Sequence, residues 1–282
     1  MYKKRVNYIK LLSLVVLLSL SNVFGSNAFA RRYVIPSDKN VLVKIKSSSH
    51  KYLNPSSVKM LVWNLYKGDK DDWKKEYLKL TKGKDLLVLQ EVYLDFQMSS
   101  VFYNDPFNYI FATSFLDTKN RNSPTGVAIG STVTPSSYQW KRTRYREPVI
   151  KTPKMLVFGE YPLKGKKDKL MVVSIHGINF VAAYKLEHML GQIVEVAKKH
   201  KGPLVVAGDF NSWSKKKVKL VEKMGRDLGL TSAKFDSDDR MKTFGNIIDY
   251  TYYRGGKVKN SRVYGESDGS DHKAMELEFD FR

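Results

Sequence analysis

The sequence predicts a layered α/β sandwich, on three observations. From residue 58 onward, apolar runs of strand length alternate with stretches of helical periodicity. The final stretch, 274–281, sets Met275, Leu277, Phe279 and Phe281 against Glu276, Glu278 and Asp280, as a strand with one buried face does. No internal repeat or low-complexity linker interrupts the 282 residues, so one continuous domain accounts for everything after the N-terminal segments.

The elements follow in chain order. Residues 31–57 are polar, with Pro36, Pro55 and Ser47-Ser48-Ser49, and predict an irregular lead-in with one strand at 41–45. Met60-Leu61-Val62-Trp63 and Leu86-Leu87-Val88-Leu89 each have the length of a buried strand, and 109–113 and 125–130 predict two more. The runs 155–158 and 170–175 read as neighbouring strands joined by the turn-rich Lys164-Gly165-Lys166-Lys167-Asp168. Across 182–200, Leu186, Met189, Leu190, Ile193, Val194 and Ala197 recur at three- and four-residue steps and build one helical face, which Gly202-Pro203 stops. A strand at 204–207 precedes a second helix at 215–228, basic outside and apolar at Val218, Val221, Met224 and Leu228. A strand at 247–253 and the alternating 274–281 complete the set.

Residues 1–30 have the three parts of an export signal. Lys3, Lys4, Arg5 and Lys10 form a basic start, 11–20 is apolar apart from Ser13 and Ser19, and Ala28-Phe29-Ala30 offers a cleavage site. The apolar core, about 10 to 12 residues, is shorter than the roughly 20 that span a bilayer. The expectation is a protein exported to the periplasm or secreted.

There is no cysteine, which excludes a disulfide partner, a Cys-based zinc site and a thiol nucleophile. A monomer held by packing alone is expected. The net charge of +21 favours a polyanionic partner, either nucleic acid or an anionic membrane surface. Among the basic clusters, Arg144 and Arg146 flank Tyr145, and an aromatic between cations suits stacking on bases. Charge runs are more often solvated faces.

Polar residues cluster at the ends of six apolar runs: Trp63-Asn64, Gln90-Glu91, the segment from Ser174 to Asn179 that contains His176, Gly208-Asp209-Phe210-Asn211, Ile248-Asp249-Tyr250 and Ser270-Asp271-His272. A single Asp or Asn at a strand end is ordinarily a turn former or a helix cap. Six such ends, facing one side of a sheet, assemble a site from distant parts of the chain. The chemistry is coherent. Carboxylates at Glu91, Asp209 and Asp271 with amides at Asn64 and Asn211 are hard oxygen donors that select Mg²⁺ or Mn²⁺. An Asp–His pair fixes an imidazole tautomer and raises its basicity. That inventory suits in-line attack at phosphorus.

In this order the clusters resemble the motif series of the endonuclease/exonuclease/phosphatase superfamily, over residues 58–282. Leu61-Val62-Trp63-Asn64-Leu65-Tyr66-Lys67, Arg146-Glu147-Pro148, Ile175-His176-Gly177-Ile178-Asn179-Phe180 and Tyr253-Arg254-Gly255 look more particularly like its bacterial YafD-like branch. The resemblance implies a four-layer DNase-like sandwich, two packed mixed β-sheets flanked by helices, with the site at one end of the sheets. It implies that Glu91 is the main metal carboxylate with Asn64 beside it, and that Asp271 belongs to the metal or phosphate shell. Asp209 would orient or deprotonate water, Asn211 would hold the transition-state phosphate, and Asp249 and His272 would form the Asp–His pair. His176 matches a position of a histidine acid, and Asn179 a phosphate-binding asparagine. The function implied is a Mg²⁺-dependent phosphodiesterase, with a nuclease first. A phospholipid or sphingomyelin phosphodiesterase, a small-molecule phosphatase and a non-catalytic binder on the same scaffold are the alternatives.

Overall fold

Val58, Met60 and Val62 point to one side of their strand and Leu61 and Trp63 to the other, and all five are buried. A strand with two apolar faces needs a layer on each side, and the computed structural model, which describes residues 32–282, supplies both. The expected export signal lies outside the described residues.

In chain order the first half contains β1 (Tyr33–Val34), β2 (Leu42–Ile45), β3 (Val58–Asn64), helix α1 (Trp73–Leu80), β4 (Leu86–Tyr93), α2 (Phe96–Asn104), β5 (Asn108–Asp117) and β6 (Ser123–Ser131). The second contains β7 (Ser137–Arg142), β8 (Met155–Pro162), β9 (Lys169–His176), α3 (Ala183–Ala197), β10 (Leu204–Asp209), α4 (Lys215–Asp227) and β11 (Thr231–Ser232). A small hairpin of β12 (Lys242–Thr243) and β13 (Asn246–Ile247) leads into β14 (Asp249–Arg254), β15 (Lys257–Val263) and β16 (Met275–Asp280).

Two mixed sheets result. One has the order β1-β5-β6-β4-β3-β16-β15, with β2 also on β5, and the other β11-β14-β10-β9-β8-β7. In these two sheets β3 runs parallel to β4 and β9 parallel to β10, and the other named strand pairs are antiparallel. The core between the sheets packs Met60, Val62, Val88 and Ile129 against Val157, Val172, Val205 and Ala207. On the outer face of the first sheet, Leu61, Trp63, Leu87 and Leu89 meet Tyr77, Leu80, Met98 and Phe102 of α1 and α2. On the outer face of the second, Phe158, Val173, Ile175 and Val206 meet α3 and α4 through Leu186, Ile193, Val221 and Met224. Helix, sheet, sheet, helix is the four-layer sandwich that the family resemblance implied.

The strands read from apolar runs are present, and so are the two helices read from periodicity. The structure adds what was unread. Residues 33–45 give two strands at the β5 edge instead of one. Helix α1 is short and mostly polar, and buries only Trp73, Tyr77 and Leu80. Strand β15, with four exposed residues among seven, is defined by pairing with β16 and not by apolar pattern. Among the described residues no helix is long and apolar enough to cross a membrane.

Candidate active site

Register brings the six polar clusters to one rim. Asn64 pairs with Gln90 at the ends of the parallel β3–β4 pair, and Asp209 lies between His176 on β9 and Asp249 on β14. Asp271 and His272 precede β16, which runs antiparallel to β3 and so starts at the same rim. The two sheets meet through Asn64, whose Nδ2 lies 3.4 Å from Asp209 Oδ2 and 3.5 Å from His272 Nε2. A cleft of about 850 Å³ opens there, lined by Glu91, His176, Asn179, Asp209, Asn211, Asp271 and His272. Asp249 stands behind it, its Oδ2 accepting from His272 Nδ1 at 2.8 Å.

The neighbours in each motif have local tasks. The Trp63 indole N–H donates to the His272 carbonyl at 3.0 Å. Ser270 Oγ donates to the Asn64 carbonyl at 2.7 Å and accepts from the His272 N–H at 3.1 Å. The first and last motifs are thereby stapled together. In β4, Leu89 faces Ala128 while Val92 faces Gly126, so Gln90 and Glu91 share one position of the partner strand. Such a bulge re-aims a side chain. Gln90 turns inward, its Nε2 donating to Ser174 Oγ of the other sheet at 3.1 Å, and Glu91 turns to the cleft. Lys67, Glu91, Phe180 and Asn211 all line the cleft with left-handed φ between 47° and 56°. Non-glycine residues in that region cost of order 1–3 kcal/mol each and persist where the surroundings over-determine them.

The amide roles are specific. Asn211 Nδ2 donates to the Gly177 carbonyl at 2.9 Å and to Asp209 Oδ2 at 3.1 Å, while its backbone N–H donates to Asp209 Oδ1 at 2.8 Å. Asn211 therefore orients Asp209 as well as lining the cleft. Asn179 Oδ1 accepts from the Phe180 N–H and from the Trp213 indole, each at 2.8 Å.

Protonation follows from burial and neighbours. Burial opposes the charge on His272, but Asp249, by charge and hydrogen bond, with Asp209 and Asp271, lifts its pKa to about 10. Burial raises Asp209 to about 7, with the His272 cation lowering it and Asp249 raising it. His176 is pushed well below its ordinary value by burial, with Lys154 acting in the same direction and Glu91 against it, and is neutral. Its Nε2 lies 3.5 Å from Asp209 Oδ2 and 3.8 Å from Glu91 Oε1. Burial would raise Glu91, yet His176 when charged, and Lys67 and Lys154 in any case, pull it below the ordinary carboxylate value.

A hard divalent cation fits this donor set. Glu91 Oε2 is buried without a hydrogen bond of good geometry, its ion-pair partner Lys67 Nζ being 3.3 Å away. The Asp271 carboxylate lines the same cleft. Among the described residues no three His, Asp or Glu side chains form a closed cage. An open arrangement of one or two carboxylates with water is what Mg²⁺ takes.

Arg144 and Arg146 are not brought to this site. Both are exposed and outside the cleft lining. The Tyr145 ring between them packs edge-on against Tyr184 and His188 of α3. The residues that sequence reasoning missed lie closer. Lys154 lines the cleft and pairs with Glu147 Oε1 at 3.3 Å, and the same oxygen accepts from the Asn179 N–H at 3.0 Å. Lys67, Trp213 and buried Lys217 complete the surroundings. Lys217 was readable, because 217, 221, 224 and 228 form one helical stripe.

The fold and the site together define a phosphoesterase scaffold. The model of the Endonuclease/Exonuclease/phosphatase family matches residues 61–272, and the chain belongs to that family. A UPF0294 protein of Erwinia tasmaniensis is 31% identical over 229 residues, covering 81% of this chain and 83% of the relative. The solved structure of an endonuclease/exonuclease/phosphatase from Bacteroides vulgatus is similar with a TM-score of 0.64 at 14% identity, over 79% of this chain and 98% of that one. Another, from Beutenbergia cavernae, gives 0.62 at 15% identity, over 79% and 71%. At such identities the likeness establishes the fold.

Proposed function

We propose that this protein is an exported, divalent-metal-dependent phosphodiesterase that hydrolyses nucleic acid by in-line attack of water. One observation carries the reading: carboxylates, amides and two imidazoles from six strand ends converge at one end of a single cleft, with Asn64 within 3.5 Å of both Asp209 and His272. The nucleic-acid preference is supported by the net charge of +21, of which Lys3, Lys4, Arg5 and Lys10 of the export signal supply only four, and by Lys67 and Lys154 in the cleft. The segments around Trp63, Glu147 and His176 support a place in the YafD-like branch.

The residues divide the work. Asp209, with a pKa near 7, is matched to taking a proton from water at neutral pH. Asn211 and Asn64 fix its carboxylate. His272, held cationic by Asp249, neutralises charge that builds on the phosphoryl oxygens. Neutral His176 offers hydrogen bonding, not charge, to the same group. Glu91 and Asp271, with Asn64 beside them, would hold Mg²⁺ or Mn²⁺, which supplies Lewis-acid charge to the phosphate when bound.

The test is a substrate panel of plasmid, single-stranded RNA and DNA, and labelled sphingomyelin vesicles, with Mg²⁺ and with chelator. Nucleic acid should be cut only with metal, and Glu91→Gln should lower turnover by roughly 10³-fold, the scale of one lost electrostatic group. Hydrolysis of sphingomyelin without cleavage of any nucleic acid overturns the reading.

A further inference from the structure

We propose that Trp213 and Phe244 form a stacking corner for an unstacked nucleobase next to the scissile phosphate, which makes single-stranded or locally opened nucleic acid the preferred substrate. This rests on the nuclease reading and names the form of substrate that the same cleft takes.

Trp213 lies two residues beyond Asn211 and lines the cleft. Its indole is pinned. Nε1 donates to Asn179 Oδ1 at 2.8 Å, and Lys217 Nζ sits 4.1 Å from the ring centroid. Phe244 packs against it at 5.9 Å with the two planes 70° apart, which makes a corner of two aromatic plates. Asn246 Nδ2 donates to both the Trp213 and the Phe244 carbonyls at 3.1 Å and ties the hairpin to the Trp213 segment.

Phe244 is not there for its turn. It occupies, with Gly245, the two-residue loop between β12 and β13, at φ 51° and 78°. Two consecutive left-handed residues are the geometry of a type I′ turn, whose first position favours Asn, Asp or Gly. A phenylalanine in that place strains the backbone and buries little, being 78% exposed. Its ring stands at the edge of the cleft, next to the cleft-lining Thr243 and against Trp213, with most of its surface open. The occupant is a planar heterocycle and not an acyl chain. A fluid bilayer is met by mobile apolar side chains on a convex surface, whereas this indole is half-buried in a concave wall and locked by a hydrogen bond. Stacking on a fixed aromatic is sequence-tolerant and worth about 1–3 kcal/mol per base.

The experiment compares kcat/KM on short single-stranded oligonucleotides with that on strands of the same length that lack bases, for the full chain and for Trp213→Ala, Trp213→Phe and Phe244→Ala. Trp213→Ala should lose roughly 5- to 150-fold on base-bearing strands, the stacking energy expressed as a ratio, and much less on abasic strands. Trp213→Phe should restore most of it. Phe244→Ala changes an exposed ring and tests the corner even if Trp213→Ala fails to fold. Equal losses on both kinds of strand, or none, overturn the proposal. So does weakened binding to anionic phosphatidylserine vesicles with strand cleavage intact, which would make the corner a membrane anchor. A wild-type protein that cuts no nucleic acid defeats the nuclease reading itself. One that cuts both kinds of strand equally defeats only the corner.

Discussion

His272 and Asp209 both approach Asn64, and at neutral pH the first keeps its proton while the second is about half protonated. Asp249 is the cause of the first. Its carboxylate, 2.8 Å from His272 Nδ1, raises the imidazole to about 10. Because the folded value lies above the ordinary 6.5, the pair stabilises the fold fully below pH 6.5, and that contribution disappears as pH rises through about 10. Asp249→Asn should therefore move the basic limb of the pH–kcat/KM profile down from near 10 toward neutrality. The rate at pH 7 should fall by roughly 10²-fold or more. A limb that stays in place would show that something else charges His272. At this scale the site was legible wherever chemistry and strand ends coincide, as for Asn64, Glu91, Asp209, Asp249 and His272. Lys67, Lys154 and Trp213 were not, because a lysine or tryptophan in a loop carries no pattern until the fold places it. Arg144 and Arg146 show the converse: a suggestive triplet with Tyr145, led away from the cleft by the Tyr145 contact with α3.

Strand β10 shows what an element must do to deliver such a residue. Asp209 can sit between His176 and Asp249 only if β10 passes very close to β9. A side chain on Gly208, at φ 136°, would lie 2.2 Å from the Ile175 carbonyl oxygen and 2.7 Å from Gln90 Nε2. Gly208→Ala is expected to destabilise the fold by roughly 3 kcal/mol or more, the range of severe backbone strain and overpacking. Urea denaturation measures this, and a midpoint unchanged from wild type would contradict the register. Elements with strong apolar runs were readable because both of their faces are buried. Strands β7 and β15 and helices α1 and α2 were not, since each is covered on one side only or is too short for its periodicity to stand out. Helix α4 was read with the wrong residue in its stripe: Lys217, 1% exposed, takes the place assigned to Val218.

For the whole molecule, the four layers depend on closing the first sheet at its β5 edge. That edge carries β1 and β2, with Arg32 paired to Asp117 at 2.9 Å and with Val41 and Ile45 buried. Burying two such side chains is worth about 1.5–3 kcal/mol each. A chain starting at residue 47 should melt several degrees lower and scatter light on heating, because β5 would present an open edge. Unchanged melting would make the segment dispensable. The general architecture was legible from run lengths, but the closure of this edge was not, because 31–57 is polar and rich in proline and serine. Its partner lies far along the chain: Tyr33 pairs with Asp117 and Leu42 with Ala112. A ribosome releases β1 and β2 well before β5. β1 and β2 are thus synthesised ahead of the strand that receives them, and they stay without that partner until β5 is available beside them.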